Sequence, residues 1–382
     1  MYQICVVTST RADFGIMSGM LCKMQEDSEI HLQLVVTGSH LEEAYGNTVE
    51  EIKATSLPIA REIHIMQESA GAGEIAAIAL EKFGHFFEEE RPDLLLLLGD
   101  RSEIMAVAMA AMLQRIPIAH LHGGERTEGA LDEACRHSIT KMSQLHFTAT
   151  EEYKKRVIQL GEQPGNVYCV GALGVENVLK VPLLSGDELY KQLHLKQEEK
   201  VISVTFHPVT LDDEDAVNQM QPILQVMKAH PEYHYIITAA NADDGGAIIN
   251  EIWEAQCNLR DNWDLYPSLG KVRYFSLLKQ ASMILGNSSS GIIEAPSFHI
   301  PTVNIGNRQK GRVAAESVIH CRNTKEEVEK AFLKAEEAFL KGTYENVKNP
   351  YGGENTANTI IRIIKDRLEQ GISVEKVFYD IS

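Results

Sequence analysis

Carboxylates, histidines and arginines follow apolar runs in the first half of the sequence, and several of these side chains can transfer protons. In LLGDRSE, Asp100 and Arg101 come directly after the run Leu94–Leu98. In HLHGGERTEG, His122 and Glu125 flank a pair of glycines that allow a tight turn. Carboxylates and imidazoles are common general acids and bases of enzymes. We therefore expect this half of the chain to supply acid–base chemistry.

The segment after the glycine pair predicts a helix whose polar face extends this set. Its apolar residues recur at helical spacing, and the opposite face carries Asp132, Arg136 and Thr140 at four-residue steps. A solvated helix with i,i+4 pairs explains this face equally well when it is taken alone. The position of the helix directly after the loop with His122 and Glu125 favours a functional role.

A further candidate lies after the first apolar run, in TSTRADFG. Helix capping by Thr10 or Asp13 accounts for part of this loop, but capping does not require Arg11. In the second half, VTFHP predicts His207 at the end of a strand, because Pro208 cannot continue the ladder. A lone histidine at a strand end is more often structural than catalytic.

Two motifs of the second half have the residue types that bind a nucleoside diphosphate. The small residues of GNSSSGIIEA lead into a short helix whose N–H groups suit a phosphate, and Glu294 could accept a hydrogen bond from a ribose hydroxyl. A serine N-cap without a ligand is the structural alternative. NIGNRQKGR adds Arg308 and Arg312, cations suited to a diphosphate in an acidic protein.

The elements that must position these residues are strands of a parallel sheet. Continuous apolar runs alternate with helical patterns, which is typical of strands covered by helices on both faces. In such sheets, ligands bind outside the carboxyl ends of the strands. The runs lie at 3–8, 31–37, 93–99, 116–121 and 146–150, and a second series lies at 201–206, 233–240, 282–286 and 300–306. Two amphipathic helices, ended by Gly342 and Gly371, close the chain.

Composition limits the possible partners and the compartment. The formal net charge is −18 without a basic block, which argues against a nucleic-acid or anionic-membrane binder. The six cysteines form no CxxC pair and several lie in apolar runs, so we expect buried free thiols in a reducing compartment and no zinc or redox site. We find no signal peptide and no apolar run of membrane-spanning length, and we predict a cytoplasmic protein.

Five motifs, in order, resemble the hydrolysing UDP-N-acetylglucosamine 2-epimerases of sialic and legionaminic acid biosynthesis. They are TRADFG, LLGDRSE, HLHGGERTEGALDEACRHSITK, GNSSSGIIEA and NIGNRQKGR. The resemblance implies an α/β fold of the GT-B type, with two Rossmann-like, doubly wound parallel-sheet domains and the active site in the cleft between them. It implies no metal and no cofactor. The domains are expected at 1–175 and 176–360, with a C-terminal helix at 361–382 packing back across them.

The resemblance also implies roles for individual residues. Asp100 and Asp132 match acid–base residues at the sugar, with Arg101 and Arg136 as their neighbours, and His207 matches a histidine near the sugar and the leaving phosphate. The predicted catalytic set is Asp100, His122, Glu125, Asp132 and His207. The predicted substrate- and nucleotide-binding set is Arg11, Arg101, Arg136, Ser288, Ser289, Ser290, Gly291, Glu294, Arg308 and Arg312.

One position departs from the family pattern. The family commonly has a catalytic glutamate where this chain has His122, in HIEGG against HLHGG. Either Glu125 or His122 itself takes its part, or the substrate differs. The histidine, together with GALGVEN at 171–177, is similar to the branch that processes GDP-linked 2,4-diacetamido sugars for legionaminic-type acids.

The resemblance implies conversion of UDP-N-acetylglucosamine and water to N-acetylmannosamine and UDP. Elimination would give a 2-acetamidoglycal, to which water then adds. The alternatives are the same reaction on GDP-N,N′-diacetylbacillosamine, a non-hydrolysing epimerase or GT-B glycosyltransferase, and a catalytically inactive sugar-nucleotide sensor. The expected partners are a nucleotide sugar and further copies of the chain, as a homodimer or homotetramer, with no nucleic acid and no membrane.

Overall fold

Two parallel sheets organise the protein in a computed structural model, which describes residues 1–67, 70–127, 131–197, 199–209, 215–240, 245–353 and 355–381. The chain divides into two compact units. Unit 1 comprises Met1–Glu125, Leu131–Asn177 and Gly353–Ser382, and unit 2 comprises Arg126–Ala130 and Val178–Gly352. The domain limits taken from the sequence and the cleft stay predictions.

The described part of unit 1 contains a seven-stranded sheet in which every neighbouring pair is parallel. Its strands are β1 (Tyr2–Thr8), β2 (Ile30–Thr37), β3 (Ile59–Ile63), β4 (Leu94–Leu98), β5 (Ile118–Leu121), β6 (Leu145–Thr148) and β7 (Val167–Cys169). The strand order is β3-β2-β1-β4-β5-β6-β7. The chain therefore moves outward from β1 to β3 and then resumes at β4 on the other side of β1, which makes the β1/β4 gap the switch point of the sheet.

The described part of unit 2 repeats this arrangement with six parallel strands in the order β10-β9-β8-β11-β12-β13. They are β8 (Lys200–Thr205), β9 (Tyr233–Thr238), β10 (Trp263–Tyr266), β11 (Met283–Gly286), β12 (Thr302–Ile305) and β13 (Val318–Cys321). The switch point of this sheet lies between β8 and β11.

Helices connect the strands in both units. The first seven are α1 (Arg11–Glu26), α2 (Val49–Lys53), α3 (Ala72–Glu89), α4 (Ser102–Leu113), α5 (Leu131–Met142), α6 (Glu151–Gln159) and α7 (Leu173–Lys180). The chain passes from unit 1 to unit 2 within α7. The later helices are α8 (Gly186–Gln192), α9 (Ala216–Ala229), α10 (Gly246–Cys257), α11 (Gly270–Gln280), α12 (Ser290–Ile293), α13 (Lys325–Leu340) and α14 (Thr356–Gln370). Short 3₁₀ helices lie at Gly38–Leu41, Glu43–Tyr45, Pro164–Asn166 and Ala295–Phe298.

The leucine run of β4 shows why the strands are apolar throughout. Leu94 and Leu96 pack into the hydrophobic cluster on one face of the sheet, and Leu95 and Leu97 into the cluster on the other. Because successive side chains of a strand point to opposite faces, only a continuous apolar run fills both clusters. Burial of each leucine contributes about 1.5–3 kcal/mol. The prediction of strands covered on both faces is confirmed.

The chain termini and the cysteines differ in part from the expectations. The two C-terminal amphipathic helices are present as α13 and α14. The helix α14 begins at Thr356 and ends at Gln370, so the helix expected at 361–382 starts earlier and ends earlier than predicted.

All six cysteines are free, although only Cys5 and Cys135 are buried. In the ranges that the structure describes, none of the helices has the length and apolar character needed to cross a membrane.

Candidate active site

The loop after β1 is fixed by a buried aspartate. Asp13 forms a capping box with Thr10 at the start of α1, which confirms the capping interpretation of these two residues. Its carboxylate also accepts hydrogen bonds from Thr8 Oγ1 at 2.5 Å and from the backbone N–H of Ser9 at 2.9 Å. Arg11 takes no part in the capping box and lies exposed at the carboxyl edge of the sheet.

Glu103 joins the two sides of the switch point in unit 1. Its Oε1 accepts a hydrogen bond from Ser9 Oγ at 3.1 Å, after β1, and from Arg101 Nε at 2.6 Å, after β4. Glu103 is buried, whereas the side chain of Arg101 is 52% exposed. The β1 and β4 loops are therefore tied together by a carboxylate, and Arg101 remains accessible to a ligand.

Arg136 holds Asp100 in place. The arginine is only 1% exposed, and its guanidinium donates to Asp100 Oδ2, to Glu133 Oε2 at 2.8 Å and to the backbone carbonyl of Glu125 at 3.0 Å. Sequence reasoning placed Arg136 in the substrate-binding set. The observed contacts show that it positions Asp100 and the β5 loop from beneath the surface.

His120, inside β5, fixes the backbone directly before Asp100. Its Nε2 lies 2.8 Å from the carbonyl oxygen of Gly99, and its Nδ1 lies 3.1 Å from Thr140 Oγ1. Burial lowers the pKa of His120 to about 3, so the ring is neutral at neutral pH. The neutral ring donates from Nε2 to Gly99 and accepts from Thr140 at Nδ1. Sequence reasoning missed this residue, although a histidine within the apolar run IPIAHL was a visible signal.

The glycine pair after β5 makes the turn that presents His122 and Glu125. Gly124 has φ +77°, and a Cβ there would lie 2.4 Å from the carbonyl oxygen of Tyr153, so only glycine fits. His122 itself has φ +63°, an uncommon conformation for a residue with a side chain. Its Nδ1 lies 2.9 Å from Glu125 Oε1. The two predicted catalytic residues of this loop are therefore in direct contact.

Asp132 lies in the first turn of α5, where it is exposed, and Cys135 of the same helix is buried. Next to Asp132, Glu133 accepts hydrogen bonds from Arg136 and from His137. Residues 128–130 of the motif that precedes this helix lie outside the described residues. The polar face of α5 thus contains both the exposed Asp132 and the ion pairs that the structural alternative predicted.

In unit 2, Asn287 joins the two sides of the switch point. Its side-chain amide donates to the carbonyl oxygen of His207 at 2.8 Å and accepts from the N–H of His207 at 2.7 Å. Burial, together with the nearby Arg308 guanidinium, lowers the pKa of His207 to about 3. His207 is therefore neutral at neutral pH, and positive charge at this edge comes from arginine. Sequence reasoning grouped Asn287 with the small residues of the loop and missed its bridging role.

The serine loop starts from a close approach of two backbones. Gly286 has φ +142°, and a Cβ there would lie 1.9 Å from the carbonyl oxygen of Thr205. Within the loop, the N–H groups of Gly291 and Ile292 donate to the carbonyl oxygens of Ser288 and Ser289. The helix α12 has only four residues, and these donors are already used inside its first turn.

The remaining polar groups of the serine loop are side chains. Ser290 Oγ accepts a hydrogen bond from the hydroxyl of the partly buried Tyr274 at 2.9 Å, which orients it, and Ser288 Oγ lies 3.4 Å from the backbone nitrogen of Ser290. Ser288, Ser289 and Ser290 are each partly exposed. The loop therefore has three serine side chains that solvent, and hence a ligand, can reach.

Arg308 lies beside the serine loop. Arg308 Nη1 donates to the carbonyl oxygen of Asn287 at 3.4 Å, and the buried Gln309 donates to the same oxygen at 2.9 Å. Arg312 and Glu294 are partly exposed. For metal ions, a search of the described ranges finds no group of three or more His, Cys, Asp or Glu side chains that could hold one.

Fold and site together define an α/β protein with two doubly wound parallel sheets. Each sheet has polar residues at its switch point, and ligands of this architecture bind at switch points. The sequence profile described as UDP-N-acetylglucosamine 2-epimerase matches residues 22–365. The chain therefore belongs to the UDP-N-acetylglucosamine 2-epimerase family.

Individual relatives agree with this assignment. The polysialic acid biosynthesis protein P7 of Escherichia coli is 39% identical over 388 residues, which cover 100% of this chain and 98% of the relative. A GDP/UDP-N,N′-diacetylbacillosamine 2-epimerase (hydrolyzing) of Campylobacter jejuni is 35% identical over 99% of both chains. Among solved structures, UDP-GlcNAc 2-epimerase from Neisseria meningitidis bound to UDP-GlcNAc superposes with a TM-score of 0.80 at 20% identity, covering 96% of this chain and 100% of that one. The predicted GT-B-like fold is confirmed.

Proposed function

We propose that the protein is a hydrolysing 2-epimerase of nucleoside diphosphate 2-acetamido sugars. The observation that carries the proposal is the distribution of chemistry over the two switch points. Unit 1 has Asp100 and the His122–Glu125 pair at the carboxyl ends of β4 and β5, whereas unit 2 has hydroxyls and Arg308 beside β11 and β12. Acid–base groups suit the sugar, and a cation with hydroxyl donors suits a leaving diphosphate.

The reaction follows from these groups. The hydrogen at C2 is not acidified by a carbonyl, so the bond from C1 to the diphosphate oxygen must lengthen first and build positive charge on the ring. Carboxylates such as Asp100 and Asp132 stabilise that charge, and Arg308 stabilises the diphosphate as it leaves. Loss of the C2 proton gives a 2-acetamidoglycal. Water then adds at C1 while C2 is protonated on its opposite face, which releases the free, epimerised sugar.

Two substrates follow from the similarities. UDP-N-acetylglucosamine, which would yield N-acetylmannosamine for sialic acid, is supported by the family profile and by the polysialic acid relative from Escherichia coli. The nucleotide-linked N,N′-diacetylbacillosamine is supported by the Campylobacter jejuni relative and by His122, at the position where the family commonly has glutamate. We propose UDP-N-acetylglucosamine first and the diacetamido sugar, linked to UDP or GDP, as the second candidate.

An assay in D₂O tests the proposal. The enzyme is incubated separately with UDP-N-acetylglucosamine and with UDP- and GDP-linked N,N′-diacetylbacillosamine, and the products are analysed by NMR. The expected products are free nucleoside diphosphate and a free 2-epimer that carries deuterium at C2. Nucleotide release without deuterium would mean simple hydrolysis, and deuterium in an intact nucleotide sugar would mean a non-hydrolysing epimerase. No reaction without an added acceptor would favour a glycosyltransferase or a sensor. Each of these other results contradicts the proposal.

A further inference from the structure

One ring nitrogen of His122 has a hydrogen-bond partner within the described chain, and the other does not. Its Nδ1 lies 2.9 Å from Glu125 Oε1. Its Nε2 is buried and has no hydrogen-bond partner among the residues that the structure describes. A buried polar atom without a partner costs about 1–3 kcal/mol of stability, so an unpaired nitrogen at the carboxyl end of a strand points to a ligand.

The contact with Glu125 determines which nitrogen has the proton. An ionised carboxylate only accepts hydrogen bonds, so Nδ1 of the neutral ring is the donor and Nε2 has the lone pair. Glu125 is 4% exposed, and Arg136 holds its backbone carbonyl at 3.0 Å. The carboxylate is therefore fixed, and it would stabilise the imidazolium once Nε2 accepts a proton.

The other described acid–base groups near the switch point of unit 1 do not offer a stronger base. The neighbouring His120 uses both ring nitrogens, and Asp100 accepts a hydrogen bond from Arg136 at Oδ2. In general, an imidazole is a stronger base than a carboxylate, with ordinary pKa values of about 6.5 and about 3.9. A C2 hydrogen that no carbonyl acidifies demands the strongest base at the site. His122 meets that demand better than Asp100 or the exposed Asp132.

We propose that Nε2 of His122 removes the C2 proton in the elimination step and that Glu125 is its positioning residue. The C2–H electron pair becomes the C1=C2 bond as the C1–O pair leaves with the diphosphate, and the proton moves to Nε2. The imidazolium returns this proton to solvent before the next turnover. The inference rests on the proposed function, because it assigns one step of that reaction.

A second histidine of the chain provides a matched control. His230 has the same contact, with Nε2 lying 2.9 Å from Glu329 Oε1, and its side chain is 12% exposed compared with 14% for His122. In His230, however, the other ring nitrogen also faces a carboxylate, that of Glu232 at 3.3 Å. Each histidine thus has a carboxylate partner at one ring nitrogen, and the two are buried to a similar extent. They differ at the second ring nitrogen, which faces a carboxylate in His230 and has no such contact with the described residues in His122.

The experiment separates the two halves of the reaction. His122→Asn is the chosen variant, because asparagine tolerates the left-handed backbone of this position and is not a base at neutral pH. Nucleoside diphosphate release from the nucleotide sugar reports elimination, and conversion of the synthetic 2-acetamidoglycal reports hydration. Both rates are measured for the wild type, His122→Asn, Glu125→Gln and His230→Asn. Calorimetry with UDP and GDP verifies that each variant retains its nucleotide site.

We expect His122→Asn to slow elimination by about 10²–10⁴-fold and glycal hydration by only a few-fold. Glu125→Gln should cause a smaller loss in the same step, and His230→Asn should match the wild type.

Two outcomes would overturn the assignment of His122. These are elimination that proceeds at the wild-type rate in His122→Asn, and equal slowing of elimination and hydration with nucleotide affinity retained. If the wild-type enzyme itself releases no nucleoside diphosphate or incorporates no deuterium at C2, the proposed function fails before the role of His122 is tested. The two failures are therefore distinguishable.

Discussion

The switch points of units 1 and 2 lie at equivalent places in two similar sheets, yet different contacts bridge them. In unit 1, the bridging group is a charged carboxylate, because Glu103 accepts from Ser9 across the gap and from Arg101 on its own side. In unit 2, the bridge is neutral, because the amide of Asn287 pairs with both backbone groups of His207. The bridge of unit 1 therefore contains a buried charge, and the bridge of unit 2 is made by an uncharged amide.

This difference agrees with the proposed roles of the two units, which are acid–base chemistry in unit 1 and diphosphate binding in unit 2. Acid–base groups need fixed partners that orient them, and Arg136 and Glu125 provide these for Asp100 and His122. A site for a dianionic leaving group needs positive charge that is not cancelled by nearby carboxylates. The neutral bridge in unit 2 adds no carboxylate beside Arg308. Substitutions in unit 1 should therefore change turnover, and substitutions in unit 2 should change nucleotide affinity.

The largest effect is expected in unit 1, from Asp132→Asn. If Asp132 acts as an acid or base at the sugar, turnover should fall by about 10²–10⁴-fold while nucleotide affinity changes little. Steady-state kinetics and calorimetry with UDP or GDP measure the two quantities. Asp187→Asn is the control, because Asp187 is also an exposed aspartate in the first turn of a helix. Near-normal turnover in a folded Asp132→Asn would remove this residue from the mechanism.

The next effect is expected in unit 2, from Arg308→Ala. Loss of a charge-assisted contact with the diphosphate should weaken UDP or GDP binding by about 1.5–3 kcal/mol. Calorimetry measures this loss, and Arg322→Ala, which removes an exposed arginine that follows β13, is the control. Unchanged affinity would mean that Arg308 serves only the loop of Asn287, and the division between the two units would not hold.

His122→Glu then tests the meaning of the departure from the family pattern. The product assay is repeated with UDP-N-acetylglucosamine and with the diacetamido sugar nucleotides. Activity that shifts toward UDP-N-acetylglucosamine would make His122 a specificity residue. Loss of activity on every substrate is what the proposed base role predicts, because the restored carboxylate would lie opposite Glu125 and repel it. An unchanged profile would contradict both roles.

The sequence predicted the central strands and missed the edges. Each apolar run noted in the sequence overlaps a strand, whereas β3, β7, β10 and β13 were not predicted, and these are the outermost strands of the described sheets. An edge strand is less completely covered, so it can have polar residues that interrupt an apolar run. The strand β3 reads IAREI, with its three central residues exposed. Burial on both faces is thus what made the other strands visible.

The candidate site was predictable to a similar extent. Residues at the carboxyl ends of central strands could be named, because the strands themselves were visible and the rule for ligand sites then applies. The residues that hold them could not. His120 and Asn287 act through contacts with backbone or side chains from other segments of the chain. Sequence spacing does not specify which distant groups will meet, so these positioning contacts required the structure.

Asn287→Ala tests the neutral bridge itself. The variant leaves the buried N–H and carbonyl groups of His207 without this partner, so we expect a loss of about 2 kcal/mol in the free energy of unfolding. Nucleotide affinity should fall as well, because the side-chain amide fixes the backbone of Asn287, whose main-chain carbonyl oxygen accepts a hydrogen bond from Arg308. The control is Asn262→Ala, since Asn262 also joins backbone groups, at Pro231 and Tyr233. Denaturation of both variants should show a loss, and only Asn287→Ala should weaken UDP or GDP binding.

Unit 1 also contains an ionic cluster away from its switch point, at the C-terminal end of α5. Lys376 Nζ lies 2.7 Å from Glu162 Oε2 and donates to the carbonyl oxygens of Lys141 and Ser143 at 2.8 Å and 2.5 Å. Glu162 also accepts from the Lys141 ammonium group at 2.6 Å and contacts His146 at 2.9 Å. If charge matters for catalysis only at the switch point, a change in this cluster should affect stability alone.

Lys376→Met provides that test, with the smallest expected effect. Because Glu162 keeps two other partners, the loss in the free energy of unfolding at pH 7 should be about 1 kcal/mol. Burial opposes ionisation of Glu162, but its contacts with His146, Lys141 and Lys376 outweigh this and lower its pKa from 4.5 to about 2. A carboxylate with a lowered pKa stabilises the fold above its ordinary pKa, and this stabilisation is lost as the pH falls from 4.5 toward 2. The difference between wild type and variant should therefore shrink over this range in urea denaturation, with turnover unchanged at neutral pH. A fall in turnover would instead show that the end of α5 influences Asp132 and Arg136, and that charge away from the switch point also contributes to catalysis.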